Sequence, residues 1–64
     1  MAERTSDPRF VQWLEAIETD GVNLTGFEEV FITSMREAIE RYGSLKLTEP
    51  QAKTLERIYT ERVP

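Results

Sequence analysis

The sequence contains neither cysteine nor histidine. Without cysteine there is no disulfide staple, no thiolate metal site and no nucleophilic thiol. Without histidine the commonest general base and the commonest metal ligand are missing as well. Glycine and proline occur only three times each, and hydrophobic residues at 39% against 31% charged describe a helical globular domain rather than a disordered or low-complexity chain. No apolar run approaches the roughly 18 residues needed to span a bilayer. The opening MAERTSDPRF carries charges where a secretory leader needs its apolar region. These absences lead to the expectation of a cytoplasmic protein without cofactor, metal or membrane contact.

What is present fits into one small domain. A chain of 64 residues buries only about 60% of the surface its unfolded form exposes, so its stability is small or shared with a partner. The net charge of −4 is unevenly spread. Residues 1–32 sum to −5 and residues 33–64 to +1, a gradient that can orient an encounter with a charged partner.

Three helices are spelled out by their punctuation. Asp7-Pro8 opens the first: the aspartate accepts from free first-turn amides, and proline at the first helical position gives up a donor that had no partner. Phe10, Trp13, Leu14 and Ile17 then recur at i, i+3, i+4 and i+7, and Asp20-Gly21 stops the helix, with glycine expected to take the left-handed conformation. The second begins at Leu24-Thr25, where Thr25 and Glu28 have capping-box spacing. Phe27, Val30, Phe31, Met35, Ala38, Ile39 and Tyr42 continue as its apolar stripe until Gly43, and Ile32 falls beside that stripe. The third begins at Leu47-Thr48 with Thr48 and Gln51 as a second capping box, Pro50 in its first turn, and a stripe of Ala52, Leu55, Ile58 and Tyr59. Glu49–Lys53 and Arg57–Glu61 are i, i+4 pairs on its polar side.

The two threonine-led starts resemble each other. With Leu24-Thr25 laid on Leu47-Thr48, Glu28 falls on Gln51, Ile32 on Leu55 and Met35 on Ile58. Two units do not make a solenoid, and sharp helix starts favour these residues independently. The pattern predicts an all-α, compact three-helix domain with helices at about 8–20, 26–42 and 49–62, preceded by a tail at 1–7 and joined by loops at 21–24 and 43–47. Its expected core is Phe10, Trp13, Leu14, Ile17, Phe27, Val30, Phe31, Met35, Ala38, Ile39, Leu55, Ile58 and Tyr59.

Chemistry is poorly provided for. Ser6, Ser34 and Ser44 have no histidine to activate them, and no lysine sits in an apolar setting that would lower its pKa. The carboxylate pairs Glu15–Glu18 and Glu37–Glu40 each share a helix face, yet no loop carries the oxygen-ligand pattern of a calcium site and no glycine-rich phosphate loop occurs. The expectation is a protein that is not an enzyme.

Recognition remains. A protein-interaction module is the first reading, with another protein or a second copy as partner; Trp13, Phe27, Ile32, Tyr42 and Tyr59 are the candidates for an exposed anchor, although each fits the core better than a contact surface. The residues singled out for partner binding are Glu15 and Glu18 on the acidic first helix, Ile32 beside the main stripe of the second, and Lys53 and Arg57 on the third. A nucleic-acid-associated module using the third helix is the alternative, opposed by Glu49, Glu56, Glu61 and the negative net charge. A further alternative is an acidic mimic of nucleic acid.

The stretch LTEPQAKTLERIYTERV also resembles a helical element of the form Leu-Ser/Thr-x-x-Gln-x-x-x-Leu-x-x-Ile-Tyr found in short phage-encoded proteins and in accessory segments of phage and bacterial replication proteins. Leu47, Thr48, Gln51, Leu55, Ile58 and Tyr59 carry the likeness, with an echo at Leu24, Thr25 and Glu28. It implies a phage or mobile-element accessory protein that binds or inhibits host or phage machinery, and it brings no catalytic or ligand residue with it.

Overall fold

A computed structural model describes residues 3–64. In chain order the elements are β1 (Thr5–Ser6), α1 (Pro8–Asp20), α2 (Gly26–Tyr42), β2 (Lys46–Leu47) and α3 (Glu49–Arg62). The protein is an all-α three-helix domain, and the helix limits coincide with those that the caps predict. Asp7 accepts from the Arg9 amide at 2.8 Å to start α1. Thr25 and Thr48 each accept from the amide three residues on, while Glu28 and Gln51 accept in turn from the threonine amides at 2.9 and 3.0 Å. Both capping boxes are therefore complete. Replacing either threonine by alanine should lower stability by about 1 kcal/mol, read from urea denaturation.

Gly43 ends α2 in the left-handed conformation at φ 76°, as the sequence predicts. Gly21 does not: it is extended, at φ −64° and ψ 138°, and the left-handed residue of that connection is Asn23 at φ 58°. Glycine is needed at 21 for space, because a Cβ there would collide with the carbonyl oxygen of Ile17. The same connection is held by the Val22 amide, which donates to the Arg62 carbonyl at 3.0 Å.

The segment read as a tail is not wholly one. Thr5 pairs with Leu47 and Ser6 with Lys46 in a short antiparallel ribbon. This ribbon clips the start of the chain to the α2–α3 connection and turns Leu47 inward, where Leu47 and Leu45 join the core at 1% and 2% exposure.

The interior is built from Phe10, Leu14 and Ile17 of α1, Ile32 and Met35 of α2, Leu45 and Leu47 of the connection, and Leu55 and Ile58 of α3. α1 and α3 form the most extensive helix contact. Two members of the expected core are outside: Phe27 and Val30 are 65% and 67% exposed. Ile32, which falls beside the expected stripe, is inside. α2 is thus rolled about its axis relative to the sequence reading, for a reason that lies in Glu28. Its carboxylate serves the Thr25 amide and also accepts from the Arg62 Nε of α3 at 3.0 Å, which fixes the Glu28 edge against the core. Ile32, Met35 and Ile39 follow on that edge at i+4, i+7 and i+11, one helical stripe.

Candidate functional site

Turning the Glu28–Ile32–Met35 edge inward leaves a second stripe of α2 facing solvent. Phe27, Val30, Phe31, Ser34, Ala38 and Arg41 recur at i, i+3, i+4, i+7, i+11 and i+14, so they lie along one side of the helix. Phe31 and Ala38 are half-buried, while Phe27, Val30, Ser34 and Arg41 are exposed. The rings of Phe27 and Phe31 lie 6.2 Å apart. Tyr42, 72% exposed, stands at the far end of the same helix. Of the four large hydrophobic residues most exposed among the described residues, three belong to α2 and the fourth, Val22, to the connection before it. Ile32 and Met35 are buried and Phe31, Ala38 and Ile39 pack partly against the core, while Phe27, Val30 and Tyr42 keep large apolar surface outside.

Charge around this face is mixed. Four of the eight cations are neutralised: Arg9 by Asp7, Arg36 by Glu18, Lys53 by Glu49 at 3.2 Å, and Arg62 by Glu28. Among the described residues, Arg4, Arg41, Lys46 and Arg57 form no ion pair. Three of these four gather at the end of α2: Arg4 and Lys46 line a cavity of about 350 Å³ with Ala38, Tyr42 and Ser44, and Arg41 lies against Tyr42 in an adjoining cleft. Glu28 in the first turn of α2 is buried and paired with Arg62, Glu29 lies off this stripe, and Glu37 and Glu40 stand beside Arg41 at the other end.

The Glu28 carboxyl is held below the ordinary glutamate value of 4.5, first by the Thr25 amide that donates to it and further by Arg62, against the opposing effect of burial. Arg9 holds the Asp7 carboxyl below 3.8 in the same way. A depressed folded-state pKa means the unfolded chain binds the proton more readily, so the stabilisation is complete above the unfolded value and is lost as pH falls through the folded one. Urea denaturation should therefore show stability falling below pH 4.5, and Glu28→Gln should flatten that fall. An acid limb as steep in Glu28→Gln as in the wild type would remove Glu28 from this role.

The residues singled out in the sequence do not converge. Glu15 is exposed on α1. Glu18 accepts from Arg36 through both carboxylate oxygens, tying α1 to α2. Ile32 is 7% exposed and belongs to the core, which corrects its assignment as a surface anchor: the roll of α2 set by Glu28 carries it inward. Lys53 is occupied by Glu49, and Arg57 is exposed on α3. Trp13 and Tyr59 are half-buried in an aromatic cluster between α1 and α3, 6.1 Å apart, with Arg9 above Trp13. Of the residues that do line up, Val30, Phe31 and Ala38 were missed as a surface because the sequence pattern counts them as core, and Ser34 and Arg41 because they are polar residues between them. The signal that separates the two stripes is the alignment of Ile32 and Met35 with Leu55 and Ile58.

Among the described residues no three acids come together as a metal site, and no helix is long and apolar enough to cross a membrane. The chain matches no protein-family profile, no curated protein and no solved structure.

Proposed function

We propose that the protein is a non-catalytic protein-interaction module whose docking face is the outer stripe of α2. The observation that carries this reading is the exposure of Phe27 and Val30 on a helix whose opposite edge is already packed. Large apolar side chains aligned on one helix face are what an amphipathic helix of a partner buries, through anchors at i, i+3, i+4 and i+7. A cytoplasmic phage or mobile-element accessory protein that binds or inhibits host or phage machinery is the setting suggested by the likeness of residues 47–59. The nucleic-acid reading is less well supported on α3, where Lys53 is tied to Glu49. The acidic-mimic reading is weakened because Asp7, Glu18, Glu28 and Glu49 are each paired with a cation.

Affinity capture from a host lysate tests the reading with three proteins: wild type, Val30→Glu on α2, and Lys53→Glu with Arg57→Glu on α3. Both variants change exposed side chains, and circular dichroism checks that each remains folded. Bound proteins should be lost with Val30→Glu and retained with the α3 variant. Capture that survives Val30→Glu and disappears with the α3 variant would move the face to α3. Retention of DNA or RNA that weakens with salt in an electrophoretic titration would favour the nucleic-acid module instead.

A further inference from the structure

We infer that the cavity between the end of α2 and the β1–β2 ribbon binds a small phosphomonoester that carries a flat aromatic body. The site stands apart from the docking face, since Phe27 and Val30, which carry that reading, lie in the first turns of the same helix.

The ribbon is what brings the cations of this cavity together. Ala38 and Tyr42 come from the last turns of α2, Ser44 from the connection, Lys46 from β2 and Arg4 from the residue before β1. Leu47 is turned into the core, so the alternation of a strand sends its neighbour Lys46 to the outer side. The register sets Ser6 across from Lys46. Arg4, two residues before Ser6, continues that side as a diagonal neighbour of Lys46, and both side chains line the cavity.

Two like charges held side by side repel each other. Among the described residues neither Arg4 nor Lys46 enters an ion pair, and no carboxylate lines the cavity. Glu37 and Glu40 stand with Arg41 in a separate cleft, which is why Arg41 is not counted in the site. An anion seated between Arg4 and Lys46 turns their repulsion into a pair of attractions.

The lining sets the class of that anion. Each of its polar side chains can donate: Arg4 through a planar fork, Lys46 through an ammonium, Ser44 and Tyr42 through hydroxyls. A phosphomonoester is close to doubly charged at neutral pH and offers three acceptor oxygens, so it matches a pair of cations better than a singly charged carboxylate does. Ala38 and the exposed ring of Tyr42 give a flat body an apolar wall to lie against. A volume of about 350 Å³ falls at the small end of ligand sites, which suits one small molecule rather than a segment of a macromolecule. Two effects oppose the anion: α2 ends here, with its carbonyls, and Glu37 borders the adjoining cleft beside Tyr42. Affinity should therefore be modest, with Kd on the order of 0.1 to 1 mM.

Phenyl phosphate, inorganic phosphate and benzoate are titrated separately into the isotopically labelled full chain at low salt, and the amide resonances are followed. The amides of Tyr42, Ser44 and Lys46 should shift along one saturating curve. Phenyl phosphate should bind about threefold or more tighter than inorganic phosphate and about tenfold tighter than benzoate. Arg4→Gln and Lys46→Gln should each weaken it by about tenfold. Tyr42→Ala should abolish the preference over inorganic phosphate, and Glu37→Gln should tighten binding about twofold. Arg57→Gln, which removes an equally unpaired cation from α3, and Val30→Glu should leave the affinity within about twofold of the wild type. All of these side chains except that of Arg4, which precedes β1, lie on the helices or the ribbon, all are exposed, and circular dichroism checks that each variant folds.

Shifts that do not saturate, or that are as large around Lys53 and Arg57 as around Lys46, would overturn the site. Equal affinity for phenyl phosphate and benzoate would overturn the phosphate, and equal affinity for phenyl and inorganic phosphate would overturn the aromatic body. A phosphotyrosine peptide that binds more than about tenfold tighter than phenyl phosphate would overturn the small molecule as ligand in favour of a protein partner. None of these results touches the docking face, which stands or falls with capture by Val30→Glu.

Discussion

Leu47→Asp should leave the chain unfolded at room temperature. Leu47 is 1% exposed, and its β2 pairing with Thr5 directs it into the interior. An aspartate there is surrounded by apolar side chains and has no cation to meet, and an unpaired buried charge is among the few substitutions that cost more than about 4 kcal/mol. A domain of this size holds only about 3–5 kcal/mol in reserve. Circular dichroism and the dispersion of amide resonances report the outcome. Lys46→Asp is the control: Lys46 is the neighbouring strand residue and is exposed, so that variant should fold. A cooperative melt for Leu47→Asp close to that of Lys46→Asp would contradict the placement of β2.

Leu55→Ala should remove about 2–5 kcal/mol, most of the stability a domain of this size holds. Leu55 is fully buried on α3 and belongs to the cluster that joins all three helices. Shortening it removes the transfer energy of the lost methyl groups and leaves a cavity that helices fixed by caps at both ends can collapse into only partly. Chemical denaturation should show a lower midpoint with the slope unchanged, the signature of lost stability in an intact fold. A loss below about 0.5 kcal/mol would place Leu55 at the surface.

The helices were legible because their ends are written locally. Asp7-Pro8, the two threonine capping boxes and Gly43 each act within four residues, so no tertiary information was needed to place them. The ribbon was not legible, because its strands are two residues each and the pairing of Thr5 with Leu47 spans most of the chain. Leu45 and Leu47 were missed for the same reason, since helical periodicity says nothing about apolar residues in a connection. The face of α2 was misjudged through the weight given to numbers of apolar residues. Phe27, Val30, Phe31 and Ala38 outnumber Ile32, Met35 and Ile39, but the inward edge is the one that carries the polar contact of Glu28 with Arg62, between residues 34 apart. The internal likeness carried the correct answer. Leu55 and Ile58 point inward from α3, and their counterparts Ile32 and Met35 point inward from α2, each set behind an equivalent capping box. The candidate surface was hidden in the sequence because it was read as core, and core and docking face share one composition.

The docking face depends on the orientation of α2, and two alanine variants test it most directly. Ile32→Ala and Val30→Ala are compared by urea denaturation. Ile32→Ala should cost about 2–5 kcal/mol, because Ile32 is packed inside. Val30→Ala should change stability by no more than about 0.5 kcal/mol, and toward greater stability, since alanine is the better helix former at an exposed site. The reverse ranking, with Val30→Ala the damaging change and Ile32→Ala nearly neutral, would mean that α2 packs through its other face and would remove the surface on which the proposed recognition depends.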